Sequence, residues 1–126
     1  MIGEEVEYAL MNAAEEEKLE VIEFTVAPQV NPPAGELPYH EWFIEFEKEP
    51  TDIEAFALKI DIAMRKQNGY YDDLIVGKVL RTLVITPVAK DGFRDYMKSI
   101  GKLGGQNKLP RLANDRKIAD ALSNLS

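Results

Sequence analysis

The sequence predicts an α+β domain: a small sheet of about three strands, antiparallel or mixed, covered by helices in the order α-β-β-α-β-α-α. Three observations carry this. Tyr39 to Lys48 alternates with period two, Ile53 to Met64 carries apolar residues at helical spacing, and prolines and glycines separate such runs along the chain. The helices are expected on one face of the sheet.

Glu4 to Lys18 reads as a helix, with Val6, Leu10 and Ala13 on one stripe, Met11 and Ala14 widening it, and an acidic first turn that suits the macrodipole. In the strand that follows, Ile22, Phe24 and Val26 share one face and Val21, Glu23 and Thr25 the other, until Pro28 stops it. Gln29 to Pro38 holds three prolines, a glycine and an asparagine and makes the loop of a wide hairpin. The next strand sets His40, Trp42, Ile44 and Phe46 on one face and Glu41, Glu45 and Glu47 with Phe43 on the other, which reads as solvated. Thr51 and Glu54 stand in capping-box spacing before the stripe Ile53, Phe56, Ala57, Ile60, Ala63 and Met64, and Asn68-Gly69 ends that helix. Tyr70-Tyr71 is read as packing that pins a loop, and Leu74 to Val79 as a short helix. Leu80 to Ala89 is the third strand, interrupted by Pro87, with Leu83 and Ile85 on one face. Asp91 caps a helix that turns Phe93, Met97 and Ile100 to the core, and Gly101 closes it. Asn114 caps a last helix carrying Ile118, Ala121, Leu122 and Leu125.

At 126 residues and 14.2 kDa the chain makes one domain, long enough to bury a core unaided. The absence of cysteine excludes a disulfide framework, a thiol nucleophile and a thiolate metal site. With His40 the only histidine, no transition-metal site is expected, and His40 is read as structural. No apolar run approaches the roughly 20 residues that span a bilayer, and the start lacks a signal-peptide pattern. A cytoplasmic protein without a membrane partner is expected. The net charge of −7 argues against nucleic acid as a partner, because such affinity comes mainly from cations on phosphates. The charge is uneven: Met1 to Lys66 holds 16 acidic against 5 basic residues, and Gln67 to Ser126 holds 6 against 10. A basic second half on an acidic protein points to a local anionic ligand rather than a polyanion track.

Gly101 to Leu112 concentrates that charge, with three glycines, three cations and a proline in twelve residues. The glycines give the backbone freedom and Pro110 stiffens the end, so the stretch reads as a flexible arm that carries an ammonium to an anion. Lys108 is the candidate. The spacing is not that of a Walker loop, since no Ser or Thr follows Lys108 and a helix precedes the glycines. On spacing alone, a mobile surface loop is the favoured reading.

The wider context changes that. Leu83-Val84-Ile85-Thr86-Pro87, then Asp91-Gly92-Phe93, then Gly104-Gly105-Gln106-Asn107-Lys108-Leu109-Pro110-Arg111 resemble the C-terminal end of the auxin-responsive Gretchen Hagen family, the ATP-dependent acyl acid amido synthetases of plants with bacterial relatives. The chain looks like the bacterial type. His40 to Phe46 and Asn68 to Asp72 look like further landmarks and Gly3-Glu4-Glu5-Val6 like the domain junction, so the resemblance spans essentially the whole chain.

The family belongs to the adenylate-forming enzymes, which activate a carboxylate with ATP and pass the acyl group to an amine. The resemblance therefore implies that residues 1–126 form a single domain similar to their mobile C-terminal lid. It implies Lys108 as the catalytic lysine, with Arg111 and Gln106 as weaker contacts to ATP or the acyl adenylate. Arg111 could alternatively orient the arm. ATP, with Mg, would be bound mainly by a large N-terminal adenylation domain that this sequence lacks, and no metal ligand is assigned here. The other partners implied are a carboxylic acid and an amine or amino acid. The chain alone is expected to be inactive. Asp73-Leu74-Ile75 stand where the family often carries basic residues, so Tyr71 receives no nucleotide role. The competing reading is a non-catalytic α+β module for protein interaction or small-ligand binding.

Overall fold

A computed structural model describes residues 1–32, 35–101 and 109–125. The elements run α1 (Gly3–Glu16), β1 (Glu20–Gln29), β2 (Tyr39–Lys48), α2 (Ile53–Gln67), α3 (Gly69–Val76), β3 (Val84–Pro87), α4 (Gly92–Ser99) and α5 (Lys117–Leu125). The sheet order is β1-β2-β3, with β1 antiparallel and β3 parallel to β2. The sheet is therefore mixed, and the predicted α+β class and element order hold.

The helices cover both faces rather than one. Phe24, Val26, Trp42, Ile44 and Ile85 meet α1, α2 and α3 in a first core around Leu10, Phe56, Ile60 and Met64. On the other face Ala27 and Phe43 meet Phe93 and Tyr96 of α4 and Ala119 and Leu122 of α5. Being central, β2 is buried on both sides over four successive residues, Trp42 to Glu45. The supposedly solvated face fails as such because its carboxylates find partners. Glu41 pairs with Arg116 at 2.8 Å and accepts from Thr86 at 2.6 Å. Glu45 accepts the backbone N–H of Asp91 at 2.9 Å and of Phe93 at 3.5 Å. A side chain from β2 thus caps α4; Asp91 itself sits at φ 65° and makes no side-chain cap. Asp tolerates that left-handed conformation better than most residues. Glu47 remains exposed.

Local corrections follow the same logic. A bulge between Val21 and Glu23 turns Val21 to the first core and leaves Ile22 exposed, reversing the expected faces there. Met11 and Ile100 also lie exposed, and Tyr96 takes the core place given to Ile100. Asp52, not Thr51, caps α2 through Ala55 N–H at 3.1 Å. Asn68 ends α2 and at once caps α3, accepting from Tyr71 N–H at 2.9 Å, so α3 starts five residues before the predicted Leu74. The backbone N–H groups of Val79 and Leu80 close α3 on Leu74, and that of Arg81 is donated to Pro38, which leaves β3 only four residues. Asp115, not Asn114, accepts from Lys117 N–H before α5. The side chain of Leu125 lies outside those described.

Candidate functional site

α4 ends at Ile100, and Gly101 follows at φ 71°, where a residue without Cβ is favoured. Residues 102–108, Gln106 and Lys108 among them, lie outside the described residues, as does the predicted flexibility of the arm. From Leu109 the chain is fixed against the free edge of β1. Thr25 Oγ1 donates to the Pro110 carbonyl at 2.7 Å. Val26 N–H donates to the Arg111 carbonyl at 3.1 Å, and Ala113 N–H donates to the Val26 carbonyl at 2.8 Å. Leu112 bridges Val26 in parallel, an isolated bridge at the edge of the three-stranded sheet. Leu109 is buried in the second core while Leu112 packs on the first, so the end of the arm is held from both sides of the sheet.

Arg111 is turned onto β1. Its guanidinium lies 4.3 Å from the Phe24 ring centre, donates to the Phe24 carbonyl at 3.3 Å and pairs with Glu23. A stacked, partly exposed cation of this kind contributes on the order of 1 kcal/mol, less than the burial of the two leucines. Arg116 fixes the next turn, donating to the Pro28 carbonyl at 3.1 Å beside its pair with Glu41. Among the three residues singled out from the sequence, Arg111 alone is placed, and it faces β1. Glu23 and Thr25 carried no functional reading in the sequence, and Glu45 was read as part of a solvated face. The face of each on its own strand was legible, but their partners lie 46 to 88 residues further along the chain.

On the opposite flank, Tyr71 is buried and donates its phenol proton to Asp61 Oδ1 at 2.5 Å, while Tyr70 is 72% exposed. Packing, rather than base stacking, is thus the role of Tyr71. Burial raises the Asp61 pKa above its usual 3.8, outweighing the Tyr71 hydrogen bond and the nearby Arg65 charge. Between 3.8 and that raised value the folded protein holds a proton the unfolded chain has released, so stability falls as pH rises through the window and stays lower above it. Asp61→Asn is expected to remove this fall. Urea midpoints from pH 3.5 to 7 should show the variant gaining on the wild type as pH rises; a constant or shrinking difference would refute the assignment. His40, 6.0 Å from the Tyr71 ring, is shifted the other way, burial and then the chain's amino terminus lowering its pKa. Among the described residues no group of three or more His, Asp or Glu could hold a metal ion, and no helix is long and apolar enough to cross a membrane.

The profile of the GH3 family C-terminal domain matches residues 4–117. Among solved structures, the fold is similar to that of GH3.15 acyl acid amido synthetase, with a TM-score of 0.72 at 16% identity, covering 95% of this chain and 24% of that one. It is equally similar to AtGH3.15 acyl acid amido synthetase in complex with 2,4-DB, with a TM-score of 0.72 at 17% identity, covering 95% of this chain and 23% of that one. The chain thus spans about a quarter of the length of these synthetase structures. No curated protein matches the sequence significantly. The matched stretch runs from the start of α1 to the start of α5 and takes in the whole sheet, and by it the chain belongs to the GH3 family, as its C-terminal domain.

Proposed function

We propose that this chain is the C-terminal lid domain of an ATP-dependent acyl acid amido synthetase, which adenylates a carboxylic acid and transfers the acyl group to an amine or amino acid. The observation that carries the reading is the family match over residues 4–117 in a chain spanning only 24% of a synthetase with the same fold at this end. In this reading residues 1–126 move as one lid, the large N-terminal adenylation domain is the partner, and the lid alone forms no amide bond. The cysteine-free composition fits a cytoplasmic enzyme.

ATP, with Mg, would be held mainly by the large domain and would supply the adenylyl group that activates the carboxylate, with pyrophosphate as the leaving group. Arg111 is engaged by Glu23 and Phe24. This chain contributes Lys108. An ammonium set between the substrate carboxylate and the α-phosphate stabilises negative charge as pyrophosphate leaves, an interaction strongest in the transition state. Gln106 assists by hydrogen bonding, and Arg111 orients the segment from β1 more readily than it contacts phosphate.

The test is Lys108→Ala in the complete synthetase. Acid-dependent pyrophosphate exchange is expected to fall by about a hundredfold, the scale of losing one positioned charge or donor at a reacting centre. Exchange at the wild-type rate would remove Lys108 from the chemistry.

A further inference from the structure

We infer that the outer face of α2 is a self-complementary docking surface, on which a second copy of this chain packs its own α2 antiparallel. Glu54, Leu58, Ile62 and Lys66 stand four residues apart and form one ridge along the helix. The inner side of α2 fills the first core with Phe56, Ile60 and Met64, yet Leu58 is 52% and Ile62 50% exposed on the outer side. A helix face turned to water would carry polar residues in the middle of that ridge. Single exposed apolar residues are common on protein surfaces, but these two are neighbours on a ridge with a groove on each side. One groove, of about 400 Å³, runs between α1 and α2 past Ala13, Leu58 and Ile62. The other, of about 360 Å³, lies between α2 and the β3 edge, past Ala57, Leu58 and Val84.

The charges on the ridge select the occupant. Lys59 is turned onto α1, 3.6 Å from Glu16 and 3.5 Å from Glu17, and Arg65 pairs with Asp72. Glu54 and Lys66, at the two ends of the ridge, have no ion-pair partner among the described residues. With an acid at the start, apolar side chains in the middle and a base at the end, the ridge complements itself only when reversed. A two-fold axis passing midway between Leu58 and Ile62 sets Glu54 beside Lys66 of the second copy and Leu58 beside its Ile62, each pair occurring twice. Packing of i±4n rows lays two such ridges alongside each other at a helix crossing of about −50°, so that each ridge enters a groove already present beside the other. The antiparallel order also brings the positive end of each helix dipole near the negative end of its mate. A parallel copy would oppose Glu54 with Glu54 and Lys66 with Lys66. The surface lies beside β3, whereas Pro110 to Ala113 dock on β1 at the other edge of the sheet, so this contact and the proposed lid function use different edges of the domain.

One helix face with its two grooves makes an interface at the low end of the specific class, below about 1,200 Å² in total, and a micromolar dissociation constant is expected. Sedimentation equilibrium of the 126-residue chain, from about 1 to about 500 μM, brackets that range. The mass should rise from 14.2 kDa toward twice that value. Leu58→Glu should hold the chain monomeric throughout, because the dimer would then bury an unpaired carboxylate from each copy. Ile62→Glu, on the same exposed face, should do the same, and circular dichroism checks that both variants are folded. Glu54→Lys and Lys66→Glu should each weaken the dimer about tenfold, and the Glu54→Lys/Lys66→Glu double, which exchanges the charges, should recover most of the association. In a parallel copy neither single reversal would weaken the contact, so the pattern is specific to the antiparallel one. A chain that stays at 14.2 kDa at every concentration overturns the inference, as does a dimer that survives Leu58→Glu and Ile62→Glu or ignores the charge reversals. If the chain is monomeric and Leu58→Glu lowers the melting temperature of the complete synthetase, the large adenylation domain covers this face and the second copy is ruled out.

Discussion

Replacing Glu45 with alanine is expected to remove about 3 kcal/mol of stability, most of it from charge-assisted hydrogen bonds worth roughly 1.5–3 kcal/mol and from the helix dipole. Glu45 is 2% exposed and places its carboxylate at the head of α4, where it accepts from the backbone N–H groups of Asp91 and Phe93. The left-handed backbone at Asp91 keeps that residue's own side chain from doing the work. Alanine would leave the first turn of α4 without its acceptor and with the positive end of its dipole uncompensated in a buried place. The cost of burying the carboxylate itself acts in the opposite direction and keeps the net figure from being larger. Glu45→Gln retains an acceptor but not the charge, and about half the loss is expected. Urea unfolding of the two variants checks both. A loss under about 1 kcal/mol for alanine would mean that solvent satisfies the α4 terminus as well as Glu45 does.

Glu45 also illustrates how far the sequence could be read. The period-two pattern of β2 and the apolar stripe of α2 set both elements correctly because each signal is local and covers ten or more residues. The same pattern misassigned the second face of β2. Glu41 and Glu45 beside Phe43 look like a wet surface when their partners are out of view, and those partners are an arginine 75 residues on and a backbone turn 46 residues on, whereas Glu47 is exposed as read. A backbone N–H has no letter in the sequence. The bulge at Ile22 escaped for a similar reason, since a one-residue insertion into the ladder is visible only against the opposing strand. α3 was displaced because Asn68-Gly69 is a good helix stop, and the Asn68 side chain could serve as the next helix's cap without leaving a gap. For the candidate site, family resemblance was needed to lift the Gln106–Arg111 stretch above a surface loop. Even then the docking of Pro110 to Ala113 on β1 was hidden, because Leu-Pro-Arg-Leu carries no strand signal and forms a single bridge.

Trp42 sets the largest stability effect expected for a single side chain. It is fully buried in the central strand, between Val26 on β1 and Ile85 on β3, and belongs to the first core. Trp42→Ala should cost about 4 kcal/mol, as large-to-small changes of aromatic core residues do, a sizeable part of the roughly 5–15 kcal/mol that holds a domain folded. Trp42→Phe should cost far less, about 1 kcal/mol, since two effects oppose each other. The smaller ring leaves unfilled space, but it also removes the indole Nε1–H, which is buried and has no partner among the described residues. An unpaired buried donor carries a penalty of roughly 1–3 kcal/mol that phenylalanine does not incur. Thermal or urea unfolding of both variants measures the difference, and a phenylalanine variant as damaged as the alanine one would show that the indole N–H is paired after all, for instance to an internal water. The consequence reaches the arm. Val26 packs against Trp42 across the sheet and carries, on its backbone, both hydrogen bonds that hold Arg111 and Ala113. On the function proposed above, Trp42→Ala in the complete synthetase should therefore lower pyrophosphate exchange at temperatures where the domain is still folded, whereas Trp42→Phe should leave it close to the wild-type rate.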